Sequence, residues 1–160
     1  MKAFKRADVL LPKEEYREAF AVVACDQYTS EPQYWEQVAR LVGDSPSAYH
    51  IIVPESYLGR GGVEERIASV NGEMERYLES GVFEELSGCY IYVERTLRDG
   101  KVRRGLIGMI DLKEYDYNKG SQSLIRATEA TVLERIPPRV AVREHAALES
   151  PHVMILFDDR

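Results

Sequence analysis

Cysteine is scarce in this chain, and so is histidine. Cys25 and Cys89 are the two cysteines in 160 residues. They show no metal-ligand spacing and are too few for a disulfide framework. The three histidines, His50, His145 and His152, form no HExxH or related array, which argues against a metal site built from sequence-local ligands. No apolar run approaches the ~18 residues of a membrane-spanning helix. The basic start is followed by a short apolar stretch that Asp8 and Pro12 interrupt, unlike a secretory signal. The GxxxxGK[ST] string of a P-loop is also missing. Together these absences predict a reduced, cytoplasmic protein without a membrane segment.

What is present suffices for one domain with a real core: 44% of residues are apolar and 30% charged, ordinary proportions for a globular chain. The net charge of −6 is unevenly spread. Residues 1–94 hold 9 Lys+Arg against 17 Asp+Glu, a balance of −8, whereas residues 95–160 hold 12 against 10, a balance of +2. An acidic first part disfavours nucleic acid as a partner, because affinity for phosphate backbones rests largely on cationic neutralisation. The second part suits a small anionic or phosphorylated ligand.

The patterning predicts an α+β fold over residues 1–160: a mixed sheet that includes a β-hairpin, with two to three amphipathic helices packed on it. Ala7–Leu11 reads as an early strand or extended arm. Ala19–Cys25 and Ser47–Val53 are short and partly β-branched, which favours buried strands. Ser30-Glu31-Pro32-Gln33 has the form of a capping box, opening a helix over about Glu31–Val42 that Gly43 ends. A second helix over about Val63–Leu78 places Val63, Ile67, Val70, Met74 and Leu78 on one stripe, and Val82–Leu86 adds a further turn. Cys89–Leu97 and Val102–Leu112 form the hairpin, with Asp99-Gly100 in a type I′ turn. Gly105 and Gly108 mark a bulge or a close backbone approach. Val153–Phe157 reads as a last buried strand.

The chemistry-bearing stretch is Ser121–Arg143. Apolar residues at helical spacing from Leu124 to Ile136 alternate there with Arg126, Glu129, Glu134 and Arg135. Pro137-Pro138 then interrupts the pattern ahead of Arg139. Glu129 sits between Ile125, Val132 and Ile136, where an unpaired charge would cost several kcal/mol. Two readings stand open. Either Arg126, Glu129, Arg135 and Arg139, with Glu134 and the hydroxyls of Thr128 and Thr131, grip a polar ligand, or they are structural ion pairs. Thr131-Val132-Leu133-Glu134 is itself a capping-box string, so the helix has an alternative start at Thr131. Asn118–Ser123 offers N–H groups and a helix start to an anion, or is a plain solvated loop. Asp26 follows a presumed strand end and is either a turn former or a second wall of the ligand site. Cys25 beside it has no histidine placed to activate it and reads as a small buried hydrophobe. Arg95, Arg98, Lys101, Arg103 and Arg104 make the hairpin basic. That is a charge-protected edge or, with Tyr90 and Tyr92, an RNA-facing surface.

Several separated segments are similar to one known group. GLIGMIDLKEYDYNKGSQSLIRATEATVLERIPPRVAVRE, the later ESPHVMILFDD and the early ACDQYTSEPQYWEQV together resemble the bacterial family of domain of unknown function 1015, across essentially the whole chain. Its members are often labelled ParB-like. The resemblance implies a protein more than twice this length, with a DG[HN]H motif of the ParB-like, ADP-dependent serine-kinase type in its later half. Neither DGHH nor DGNH occurs here, so the resemblance implies an N-terminal portion whose catalytic motif lies elsewhere. On this reading the chain is the ligand-binding half of a nucleotide- or phosphate-dependent enzyme. The alternatives are a non-catalytic protein- or nucleic-acid-interaction module and a purely structural half.

Overall fold

The computed structural model describes residues 3–127, 132–150 and 153–156, and it is α+β. The chain divides into two compact units, one of Met1–Leu11 with Glu84–Thr131 and one of Pro12–Phe83 with Val132–Arg160.

The first unit is built from short strand pairs. Its strands are β1 (Phe4–Lys5), β2 (Ala7–Pro12), β3 (Phe83–Cys89), β4 (Ile91–Thr96), β5 (Val102–Ile107), β6 (Met109–Ile110), β7 (Tyr115–Asp116) and β8 (Ile125–Arg126), with β2 and β3 each running one residue past its boundary. They pair as β1–β6, β2–β3, β4–β5 and β7–β8. Pairing runs in both directions: β1–β6 and β4–β5 are antiparallel, β7–β8 parallel. The hairpin β4–β5 holds Tyr92 opposite Leu106 and Glu94 opposite Arg104, and Arg104 pairs with Glu94 at 3.0 Å. Its turn is not type I′. Gly100 has φ +81 and Asp99 has no positive φ, while Gly100 N donates to Leu97 O and Leu97 N to Lys101 O. That pattern fits the longer loop in which a type I turn is followed by a left-handed glycine.

Of the two glycines flagged in the sequence, Gly108 marks a close approach and Gly105 has open space around it. A Cβ on Gly108 would sit 2.6 Å from the Lys5 carbonyl oxygen and 2.8 Å from the Phe4 ring. Gly108→Ala is therefore expected to destabilise the protein by about 1–3 kcal/mol, the usual penalty of overpacking, because the obstacle is paired backbone rather than a movable side-chain tip. Urea unfolding measures this, and an unchanged midpoint would show that β1 yields freely.

Among the described residues, the second unit carries a hydrophobic core cluster and four helices, α1 (Arg17–Phe20), α2 (Pro32–Val42), α3 (Val63–Glu79) and α4 (Ile136–Glu144). In α3 the buried stripe is Val70, Met74 and Tyr77. It ends on Tyr77 rather than on Leu78, which is exposed. These residues join Ile51 and Val82 in a cluster flanked by Tyr16, Phe20, Phe83, Val142 and Leu148. Among helices, α3 packs against α4. Trp35 on α2 is fully buried, its ring roughly parallel to Tyr49 at 6.3 Å.

Several expected elements take other forms. Ala19–Cys25 is not a strand: α1 ends at Phe20, and residues 21–24 run on without regular structure. Ser47–Val53 is a 3-10 turn over Ala48–Ile51, because the Ser47 side chain accepts from Tyr49 N and folds the backbone back on itself. The Ser30 capping box is not formed. Glu31 is the N-cap of α2 and no side chain caps it, though Pro32 opens the helix as expected. Val82–Leu86 is not a helical turn but leads into β3. Val153–Leu156 is exposed and irregular, and the remainder of that expected strand lies outside the described residues. Ser121–Ile136 is not one helix. It holds β8 and a 3-10 turn at Leu133–Arg135, with Thr128–Thr131 outside the described residues. Pro137-Pro138 does not break a helix but starts α4, since proline at the first helical positions removes only an N–H that would have no partner there.

Candidate functional site

Because the double proline starts α4, Arg135 becomes its N-cap and Arg139 falls one turn later, a spacing that sets two side chains over the same face. Both reach Glu55, which the sequence reading did not single out. Glu55 opens the 3-10 turn Glu55–Tyr57 after the fully buried Pro54, and its backbone N–H donates to Cys25 O at 2.8 Å. Its side chain is 6% exposed. Arg135 Nη1 lies 3.1 Å from Oε2, and Arg139 Nη2 donates to Oε1 at 2.5 Å. The guanidiniums themselves are about half exposed, 47% and 50%.

One buried carboxylate clasped by two arginines leaves one net positive charge. Each guanidinium carries five N–H groups in a planar fork, so donors remain beyond those that hold Glu55. Cys25 lies within the same electrostatic environment. Burial pushes its thiol up, the Asp26 and Glu55 carboxylates add to that, and the Arg139 charge opposes them. A raised thiol holds little thiolate at neutral pH and is a poor nucleophile. Asp26 is exposed, accepting from Gln27 Nε2 at 3.3 Å.

The loop after Cys25 is tightly held. Trp35 Nε1 donates to Gln27 O at 3.2 Å. Tyr28 adopts φ +52 with its ring stacked on Tyr34 at 4.0 Å. A left-handed aromatic residue costs roughly 1–3 kcal/mol and persists only where its surroundings determine it.

Of the residues expected to meet a ligand, the structure brings Arg135 and Arg139 together on Glu55. Asp26 lies in the same unit, and Glu134 is exposed on the turn before α4. Arg126 belongs to the other unit, in β8 opposite Asp116. Thr128, Glu129 and Thr131 lie outside the described residues. The Asn118–Ser123 loop does not start a helix. Its Asn118 N and Nδ2 donate to Asp116, whose carboxyl is lowered chiefly by the Asn118 backbone N–H and then by Ser121. A side-chain carboxylate therefore takes the donors that were a candidate anion nest.

Glu55 was missed because Pro54-Glu55-Ser56 looks like an ordinary turn. The one usable signal was its place directly after a proline and an apolar run. Among the described residues no group of three or more His, Cys, Asp or Glu stands together for a metal, and no helix is long and apolar enough to cross a membrane.

In comparisons with known proteins, no curated protein and no solved structure matches the chain. The family model described as "Protein of unknown function (DUF1015)" matches residues 5–160. That span reaches across both compact units and includes every residue of the Glu55 clasp, and the chain belongs to the DUF1015 family.

Proposed function

We propose that this chain is a ligand-binding unit for a small phosphorylated anion, received at the exposed side of Arg135 and Arg139. It would act as part of a nucleotide- or phosphate-dependent enzyme. The observation that carries the reading is the two-to-one ratio of arginines to buried carboxylate. Glu55 orients both planar forks and neutralises one charge, and the second charge and the remaining N–H donors are left for an oxyanion. Arginine suits this role because its fork matches phosphate geometry. A purely structural tie would need only one arginine.

Thermal unfolding with inorganic phosphate and with ADP tests this, since a ligand bound only by the folded chain raises apparent stability, by about 2.7 kcal/mol at a hundredfold excess over Kd. The wild type is expected to show a saturable rise in Tm. Arg139→Gln and Arg135→Gln, each of which leaves Glu55 one arginine, are expected to lose most of it. An equal rise in both variants would place the anion elsewhere, and no rise in the wild type would remove the reading.

A second reading, as a nucleic-acid-interaction module, is favoured by one observation on the hairpin. Tyr92 is 58% exposed, and alternation along β4 sets it on the same face as Glu94, which pairs with Arg104. Titration with single-stranded RNA at two salt concentrations separates the readings, because phosphate-driven binding weakens steeply as salt rises.

A further inference from the structure

A cleft of about 420 Å³ opens in the second unit, lined by Asp44, Tyr49, His50, Arg66, Ser69, Val70, Glu73 and Arg76. None of these residues belongs to the Glu55 clasp. The volume lies in the roughly 300–1,000 Å³ range of small-molecule sites. Two of its charges are already matched: Arg76 grips Glu73 through Nε and Nη2, at 2.9 Å for the Nε–Oε2 contact. His50 is engaged through Nε2 with Gly43 O at 3.0 Å.

Arg66 is different. Its guanidinium carbon lies 4.4 Å from the Tyr57 ring centroid and 5.1 Å from that of Tyr49, so two aromatic rings hold it in place. Its backbone N–H is taken up by Gly62 O at the start of α3. Its side chain, however, makes no ion pair or hydrogen bond among the described residues, and Nε is buried with no acceptor. A buried donor left without an acceptor costs about 1–3 kcal/mol. Cation–π contact satisfies the faces of a guanidinium and leaves its in-plane N–H groups open. An arginine positioned by two rings, at the wall of a cleft and without an acceptor, is arranged for an oxyanion that is not part of the chain.

The neighbouring charges select the kind of oxyanion. Asp44 lines the same cleft and, unlike Glu73, forms no ion pair among the described residues, so a second negative charge on the ligand would meet repulsion that a single charge largely avoids. From this geometry we infer that the cleft between the 44–50 segment and α3 binds a small monocarboxylate, with Arg66 as its anchor.

The site is distinct from the Arg135–Arg139 face, and the two are tested apart. Acetate and inorganic phosphate are titrated into the full chain at constant ionic strength and pH 7.5, following the Arg66 Nε–H signal and the amides of residues 66–76 by NMR. Acetate is expected to give saturable shifts at these positions, and phosphate to bind at least about threefold more weakly there. Arg66→Lys, which keeps the charge and loses the fork, is expected to weaken acetate about tenfold. Asp44→Asn leaves the anchor intact and is expected to narrow the gap between acetate and phosphate. The inference is overturned if no Arg66 signal moves with acetate, if phosphate binds there as well as acetate does, or if Arg66→Lys binds acetate like the wild type. Shifts on α4 with phosphate but none at Arg66 would support the Proposed function and remove this site.

Discussion

Replacing Tyr77 by alanine is expected to lower folding stability by about 3–5 kcal/mol, the range for truncating a buried aromatic residue. The ring is fully buried in the core cluster and meets Phe20 and Phe83, each with centroids 6.2 Å away. Its hydroxyl does a second task. It accepts from Ser47 N at 2.9 Å and donates to Ser47 O at 3.3 Å, closing both backbone groups of a fully buried serine. Tyr77→Phe keeps the packing and leaves the Ser47 N–H without its acceptor, while Ser47 O keeps the His50 N–H at 3.1 Å; the stranded donor should cost about 1–3 kcal/mol. Urea unfolding of the two variants separates the contributions. A phenylalanine variant as stable as wild type would show that the Ser47 N–H finds another acceptor.

The same residue carries a pH signature. Burial pushes the Tyr77 phenol above its ordinary value of 10.0, and burial with hydrogen bonding to Tyr49 pushes Tyr57 up to about 12. The folded chain then keeps protons that the unfolded chain releases. This contribution is fully present below pH ~10 and is lost as pH rises through the folded-state values. Stability is expected to decline above pH ~10, and less steeply in Tyr77→Phe.

The second large effect is expected at Glu55. Glu55→Ala removes the buried partner of two arginines. Breaking a fully buried pair this way costs about 3–5 kcal/mol, but Arg135 and Arg139 are half exposed and regain water, so about 1–3 kcal/mol is the appropriate range. The loss should be local first. Hydrogen exchange of the α4 amides is expected to accelerate more than that of α3, because Glu55 ties α4 to the 55–57 turn. Glu55→Gln retains the shape and should fall between the two. Uniform acceleration across both helices would show that the clasp has no special hold on α4.

Helices with a strong period were legible in the sequence. The α3 helix with Val70 and Met74 on its buried face, and the Gly43 stop of α2, follow from apolar spacing and from a glycine free to take φ +54, whereas Tyr77 takes the buried place expected of Leu78. The apolar runs at Ala19–Cys25 and Ser47–Val53 were misleading, because short apolar strings specify burial without specifying a ladder partner. In the second case a local contact, Ser47 Oγ with Tyr49 N at 3.3 Å, overrides the extended form. Pro137-Pro138 looks like an interruption in the sequence because the period before it is helical. Its role depends on which side the helix lies, and spacing alone does not say. At the site, Arg135 and Arg139 were legible as charges on an apolar pattern. Glu55 and Arg66 were not, because the features that distinguish them are burial, a double arginine contact and two ring faces, all of which arise from residues distant in sequence.

The core of the second unit is assembled from chain on both sides of residues 84–131: Ile51, Val70, Met74 and Tyr77 from before, Val142, Ala146 and Leu148 from after. This order has a consequence for biosynthesis. Chains emerge from the N-terminus at roughly 5–20 residues per second, so the surface awaiting α4 is made well before α4 exists. The first unit's later segment must pass in the interval, and long-range closures of this kind are slow because loop entropy is lost before contacts form. A newly made chain would present the Met74–Tyr77 face to solvent or to a chaperone for several seconds, and α4 would be the last of the four described helices to close over it.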